Sequence, residues 1–138
     1  MDWTLELVVV PVSGVDRAKA FYIEKAGFAI DVDYSAGDDF RVVQLTPPGS
    51  ACSIALMRNT ASPGSIQGLH LVVSDIDAAR AELVARGMHV SAMFHFDSGR
   101  QVPGPDLERR NYGTFLSFGD PDGNGWLVQE IKRAAPAA

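Results

Sequence analysis

Apolar positions along this chain change period several times, and the changes predict alternating strands and helices. Leu5 to Val10 (LELVVV) is a short, β-branched apolar run halted by Pro11 and a Ser-Gly turn, so it reads as a strand. Val15, Ala18, Phe21, Tyr22 and Ala26 then recur at helical spacing, with Ser13 placed as N-cap and Gly27 as the stop. Strands are expected next over Phe28 to Tyr34, Phe40 to Leu45 and Cys52 to Met57; the segments between them are rich in Gly, Pro, Ser and Asp, as hairpin loops should be. The same order then returns. Gln67 to Val73 reads as a strand, and Asp75 to Arg86 as a helix whose Ile76, Ala79, Leu83 and Val84 form a buried stripe before Gly87. Val90 to Phe96, Tyr112 to Phe118 and Trp126 to Ile131 follow as strands, the last two joined by an Asp-Pro-Asp-Gly-Asn turn.

The recurrence extends to individual residues. Val12 to Ala20 (VSGVDRAKA) matches Val73 to Ala81 (VSDIDAARA), setting Val15 against Ile76, Asp16 against Asp77 and Ala18 against Ala79. Thr46 to Ser50 matches Asp120 to Asn124 at a larger offset, so the second half carries an insertion, placed at Asp97 to Asn111. The chain is therefore expected to be a single α+β domain over residues 1–138, built from two tandem βαβββ modules, about 4–60 and about 65–132. In each, the crossover helix covers one face of a mixed sheet and leaves the other concave. The expected result is a curved mixed sheet around a cleft where a small molecule fits.

Composition narrows the partners. With 46% hydrophobic and 21% charged residues, the 138-residue chain is ordinary for a globular domain with a real core. A formal net charge of −5 offers no basic surface, which argues against nucleic acid. One cysteine excludes an internal disulfide, and Cys52, in an apolar run, reads as a buried inert thiol. No segment has the length of a membrane span, and the N-terminal apolar run, preceded by Asp2 and Glu6, lacks the cationic start of a signal peptide. A cytoplasmic protein with no membrane partner is the expectation. The tail from Ala134 to Ala138 reads as frayed.

The paired βαβββ modules, the Phe21-Tyr22 pair followed by Gly27-Phe28, and Asp120-Pro121-Asp122-Gly123-Asn124 before the last strand resemble the vicinal oxygen chelate superfamily, from about Leu5 to Ile131. That superfamily groups glyoxalase I, bleomycin-resistance proteins, fosfomycin-resistance enzymes and extradiol dioxygenases. Its functions run from lyase and oxygenase chemistry to drug sequestration, so fold alone does not choose. The resemblance implies metal ligands on the first and last strands of each module, at Leu7, Ser53, Gly68 and Leu127. None of the four is an ordinary divalent-metal ligand. A set displaced by two residues is Val9, Ala55, His70 and Gln129, in which only His70 and Gln129 coordinate metals; His95 is the candidate third ligand.

His70 is the most suggestive polar residue, lying mid-strand on the expected concave face with Gln129 as the partner that a buried polar group needs. It is also the best candidate for a general base. In the insertion, Arg100, Arg109 and Arg110 are candidates to clamp a carboxylate or phosphate, and Tyr112 to wall an aromatic pocket. Asp120 to Gly123 looks like part of a calcium loop, but Glu130 is misplaced for its closing ligand and a hairpin turn explains every residue. Ser53 has no nucleophile-elbow context. The favoured reading is a metal-independent, cofactor-free small-molecule binding protein that sequesters a planar or amphipathic ligand through His70, Gln129, Tyr112, His95 and Arg109. The alternative is a lyase, isomerase or dioxygenase acting on a small oxygenated substrate. A homodimer is expected in either case.

Overall fold

The computed structural model describes residues 1–132, so the expected fraying of Ala134 to Ala138 lies outside the described residues. The chain divides into two compact units. The first comprises residues 1–67 together with 119–124, and the second residues 68–118 and those from 125 onward. The class is α+β, as the hydrophobic pattern predicts, with one mixed sheet in each repeat.

In the first unit the order is β1 (Leu7–Pro11), α1 (Val15–Glu24), β2 (Ala29–Ala36), β3 (Phe40–Thr46) and β4 (Ser53–Met57). The sheet runs β1-β4-β3-β2, with β1 parallel to β4 and the other pairs antiparallel. Strand alternation sends Val10, Val43, Leu45, Ile54 and Leu56 to the helix side, where they are buried with Val15, Ala18 and Tyr22 of α1. Phe28 stacks on Tyr22 at 5.6 Å, holding the chain where it leaves the helix.

Ser13 does not cap α1. The N-cap is Gly14, in an extended conformation, because the Ser13 hydroxyl donates to Asp122 at 2.5 Å and accepts from Arg17 at 3.2 Å. Cys52 is half-buried and lies just before β4 rather than within it, so the expected burial of its thiol is incomplete. The Asp120–Asn124 turn is fastened to this unit: Tyr22 donates to Asp120 at 2.8 Å, and Asn124 donates to the Pro11 carbonyl at 2.9 Å and accepts from the Ile66 amide at 3.1 Å. Gly64 lies so close beneath the turn that a Cβ there would run into the Asp122 carbonyl oxygen.

The second unit contains β5 (Leu69–Val73), α2 (Ile76–Ala85), β6 (Phe94–Asp97), β7 (Arg100–Pro103), β8 (Thr114–Gly119) and β9 (Gly125–Glu130), in the sheet order β5-β9-β8-β6-β7. Asp75 caps α2 by accepting from the Ala78 amide at 3.0 Å. At the other end the Met88 and Gly87 amides donate to the Leu83 and Val84 carbonyls, closing the last turn. Ile76 and Leu83 are buried, but Val84 is 50% exposed, because one further residue turns it about 100° away from Leu83.

The insertion is less irregular than its composition suggests. Ser98 and Gly99, both with positive φ, form a two-residue turn between β6 and β7, an extra strand that the sequence pattern does not predict. β6 begins at Phe94 rather than Val90, since Ser91 exchanges bonds with Ser117 through its hydroxyl and backbone, and the Met93 carbonyl is taken by the Gly104 amide. β8 likewise starts at Thr114, because Tyr112 has a φ of 66° and stands outside the strand.

Candidate functional site

The parallel pairing of β5 with β9 sets Leu69 beside Trp126, His70 beside Leu127, Leu71 beside Val128 and Val72 beside Gln129. Trp126, Val128 and Glu130 are buried on the α2 side. His70 and Val72 point the other way and are exposed, with Leu127 and Gln129 next to them. Phe115 of β8 and Phe94 and Phe96 of β6 complete this open face. The Phe115 ring stacks on Phe94 at 5.8 Å and meets Phe96 edge-on at 5.3 Å and His70 at 6.4 Å. Phe94 and Phe115 are buried at its base, while Phe96 is 48% exposed. Such a surface offers ring faces and edges to a flat apolar molecule.

His70 and Gln129 on this face are each held by a backbone carbonyl. The Nδ1 of His70 lies 2.6 Å from the Gly68 carbonyl oxygen, and Gln129 donates through Nε2 to the Tyr112 carbonyl at 3.4 Å. His70 and Gln129 are therefore not partners: Gln129 stands beside Val72, and His70 is exposed rather than buried. Tyr112 is half exposed, its amide donating to the Glu130 carbonyl at 2.9 Å.

His95 pairs with Thr114 while its neighbour Phe94 pairs with Phe115, so alternation sends His95 to the opposite face from the ring cluster. Its Nδ1 lies 2.7 Å from the Gly104 carbonyl oxygen. Arg109 is also turned elsewhere. Its guanidinium pairs with Asp77 of α2 and lies 3.8 Å from Glu130, and Asp77 raises its already high pKa. Arg110 clasps Asp106 through Nε and Nη2, both at 3.0 Å, and that guanidinium together with the Arg110 amide holds the Asp106 carboxyl well below the usual carboxylate range. Arg100 opens β7.

At the positions where family metal ligands are implied, β1 and β4 place Leu7 directly beside Ser53, and β9 places Leu127 beside His70, with Gly68 just before β5. Ser53 is buried, and its hydroxyl shares a hydrogen with Thr46 at 2.7 Å, which in turn bonds Asp31. These side chains do not fit a divalent metal. In the displaced set Val9 pairs with Ala55, and His95 faces away from His70. Among the described residues, no group of three or more His, Cys, Asp or Glu side chains is arranged to hold a metal ion. Glu130, fully buried, accepts instead from the Ile76 amide at 3.0 Å and serves the N-terminus of α2.

The first unit has an open face too, where Val32, Tyr34 and Phe40 are between 42% and 54% exposed and Tyr34 meets Phe40 edge-on at 6.2 Å. An open depression of about 580 Å³ lies elsewhere in this unit, near the start of α1, lined in part by Arg17, Arg41 and Arg58. Its cations are already engaged: Arg17 by Asp122, Arg41 by Asp33 and Asp16, and Arg58 by the Asp38 carbonyl.

The aromatic positions Phe94, Phe96 and Phe115 are absent from the residues singled out by sequence. The cue was present, since Phe94 and Phe96 are two apart in a predicted strand and must share a face. Which face they share depends on pairing with β8, which no local pattern states.

A βαβββ repeat and a second one enlarged by the β6–β7 hairpin, each with a helix on one side of its sheet, define a paired-module protein. The chain belongs to the Glyoxalase/Bleomycin resistance protein/Dioxygenase superfamily, whose family model matches residues 4–128. TnmS3, an antibiotic binding protein from Streptomyces sp. CB03234, is 32% identical, with a TM-score of 0.73 over 94% of this chain and 97% of its own. A glyoxalase/bleomycin resistance protein from the same organism is 33% identical, with a TM-score of 0.70 over 92% of this chain and all of the other. A curated relative, the uncharacterized protein YetH of Bacillus subtilis (strain 168), is 25% identical over 126 residues, covering 89% of this chain and 94% of YetH. No helix among the described residues is long and apolar enough to cross a membrane.

Proposed function

We propose that this chain is a metal-independent binding protein for a planar or amphipathic small molecule, which it takes against the open face of the second unit and so sequesters. The observation that carries the reading is the pair of exposed rings, Phe96 and His70, standing over the buried Phe94 and Phe115 in the second unit on the side away from α2. Independence of metal is supported by the donor set, since Leu7, Ser53, Gly68 and Leu127 offer no chelating side chains. Similarity to an antibiotic binding protein at 32% identity supports a small-molecule ligand. His70, Gln129 and Tyr112 belong to the site in this reading. Arg109 and His95, turned toward Asp77 and Gly104, stay outside it.

Calorimetric titration with a panel of aromatic antibiotics and planar metabolites tests the proposal. We expect micromolar or tighter binding of at least one compound, unchanged by EDTA, and weakened about tenfold in Phe96→Ala, a loss in the range of one aromatic contact. Absence of binding across the panel, or affinity abolished by EDTA, would overturn it. We propose further that the protein is cytoplasmic and a homodimer, the dimer supported by the exposed ring pair of Tyr34 and Phe40 in the first unit. Sedimentation should then give twice the 14.8 kDa chain mass, and a single-chain mass at micromolar concentration would refute the dimer.

A further inference from the structure

The hydrogen-bonding state of the open face in the second unit can be worked out atom by atom. A backbone carbonyl only accepts, so the His70 Nδ1 that lies 2.6 Å from the Gly68 oxygen must carry the proton. A neutral imidazole has one such proton, which leaves Nε2 as a bare acceptor with no partner among the described residues. The same logic applies to Gln129. Its Nε2 donates to the Tyr112 carbonyl, so its Oε1 is an acceptor, again without a partner among the described residues. The two side chains sit on the same face of neighbouring strands, His70 beside Leu127 and Gln129 beside Val72, an offset of two positions or roughly 7 Å.

The strand positions around His70 on this face carry no Lys, Arg, Asp or Glu side chain, and the neutral Gln101, beside Phe96, and Ser117, two along from Phe115, lie toward its far side. The cations of the insertion are turned away, Arg109 into its pair with Asp77, Arg110 into its clasp of Asp106, and Arg100 beside Asp97 on the face opposite Phe96. A carboxylate or phosphate beside His70 and Gln129 would therefore meet two acceptors and no counter-charge, at the cost of its hydration. A group that brings its own proton meets acceptors in want of donors.

Resting on the reading of this face as the binding site, we infer that its ligand is a hydroxylated aromatic whose phenolic O–H donates to His70 Nε2 while its ring lies against the exposed Phe96. Gly68 has a part in this. Its φ of 79° is a conformation that other residues rarely adopt, and its carbonyl sets the tautomer of His70. The residue that stands where a metal ligand is implied thus acts here through its backbone, fixing which nitrogen of the next strand position is left to accept.

Three naphthalene probes separate the possibilities: 2-naphthol, 2-methoxynaphthalene and 2-naphthoate, titrated calorimetrically at neutral pH against wild type and His70→Phe. We expect wild type to bind 2-naphthol about tenfold more tightly than the methyl ether, and 2-naphthoate most weakly. In His70→Phe, which keeps a ring but loses the acceptor, the preference of 2-naphthol over its ether should shrink below about twofold while the ether still binds. Histidine nitrogen NMR of the free protein should show His70 protonated on Nδ1. Equal binding of naphthol and ether by wild type, tightest binding of naphthoate, a preference that survives in His70→Phe, or an Nε2-protonated His70 would each overturn the inference while leaving the binding face standing. Failure of wild type to bind any of the three would remove the inference and count against the face itself.

Discussion

The Asp120 carboxylate accepts four hydrogen bonds, two at Oδ1 from the Asp122 and Asn124 amides and two at Oδ2 from the Tyr22 hydroxyl and the Asn124 side chain. It is nearly fully buried, and so is Tyr22. Buried donors left without an acceptor cost more than the bond itself, so the two ends of this contact should respond unequally to mutation. Tyr22→Phe removes one donor and leaves the carboxylate three, and should destabilise by about 1 kcal/mol. Asp120→Ala strands Tyr22 and Asn124 in the interior and should cost about 2–4 kcal/mol. Urea denaturation measures both, and equal losses would refute the predicted asymmetry between the two ends of the contact. The Phe-Tyr pair and the Asp-Pro-Asp-Gly-Asn turn were both legible as motifs. That they are two ends of one hydrogen bond was not, because 98 residues of chain separate them. The same limit applied to His70. Its strand and its direction followed from alternation, but its partner did not, and the carbonyl of Gly68 proved nearer than the side chain of Gln129.

Among elements, those with strong period and punctuation were read correctly from the chain. Both helices lie within their predicted ranges, ended by Gly27 and Gly87 at positive φ, and the strands of the first unit shift by no more than two residues at either end. Errors gathered in the insertion. Polar turn-rich sequence was read as loop, yet the β6–β7 hairpin forms because Ser98-Gly99 supplies the two positive φ values that a tight turn needs, and β6 provides the ladder. Tyr112, the expected first residue of a strand, stands outside β8. The conformation it adopts lets its amide meet the Glu130 carbonyl and its carbonyl meet Gln129, bonds set by the neighbouring strand rather than by local preference. The residue types at positions 7, 53, 68 and 127, where the resemblance implies metal ligands, are read from the sequence directly as Leu, Ser, Gly and Leu.

Over the whole molecule, ion pairs set how the fold responds to acid. In the first unit the Arg41 and then the Lys19 cation beside Asp33 hold its carboxyl well below the usual carboxylate range, and in the second Arg110 does the same for Asp106. A carboxyl whose folded pKa is depressed contributes stability that is fully present above its unfolded value, near pH 4, and is lost as pH falls through the lower folded value. The melting temperature should therefore be level from about pH 7 to pH 5 and fall below about pH 4, and the fall should be shallower in Asp33→Asn and Asp106→Asn. A double variant with the wild-type acid slope would show that these two groups are not its source. The first unit is also discontinuous in sequence, since residues 119–124 belong to it. A gene broken at the midpoint between the repeats would encode a front half whose Tyr22 hydroxyl, Pro11 carbonyl and Ile66 amide had all lost the turn that satisfies them. The duplication has become a one-way step: two copies that began as equals can no longer be inherited, shuffled or expressed apart without stranding buried polar groups in the earlier one.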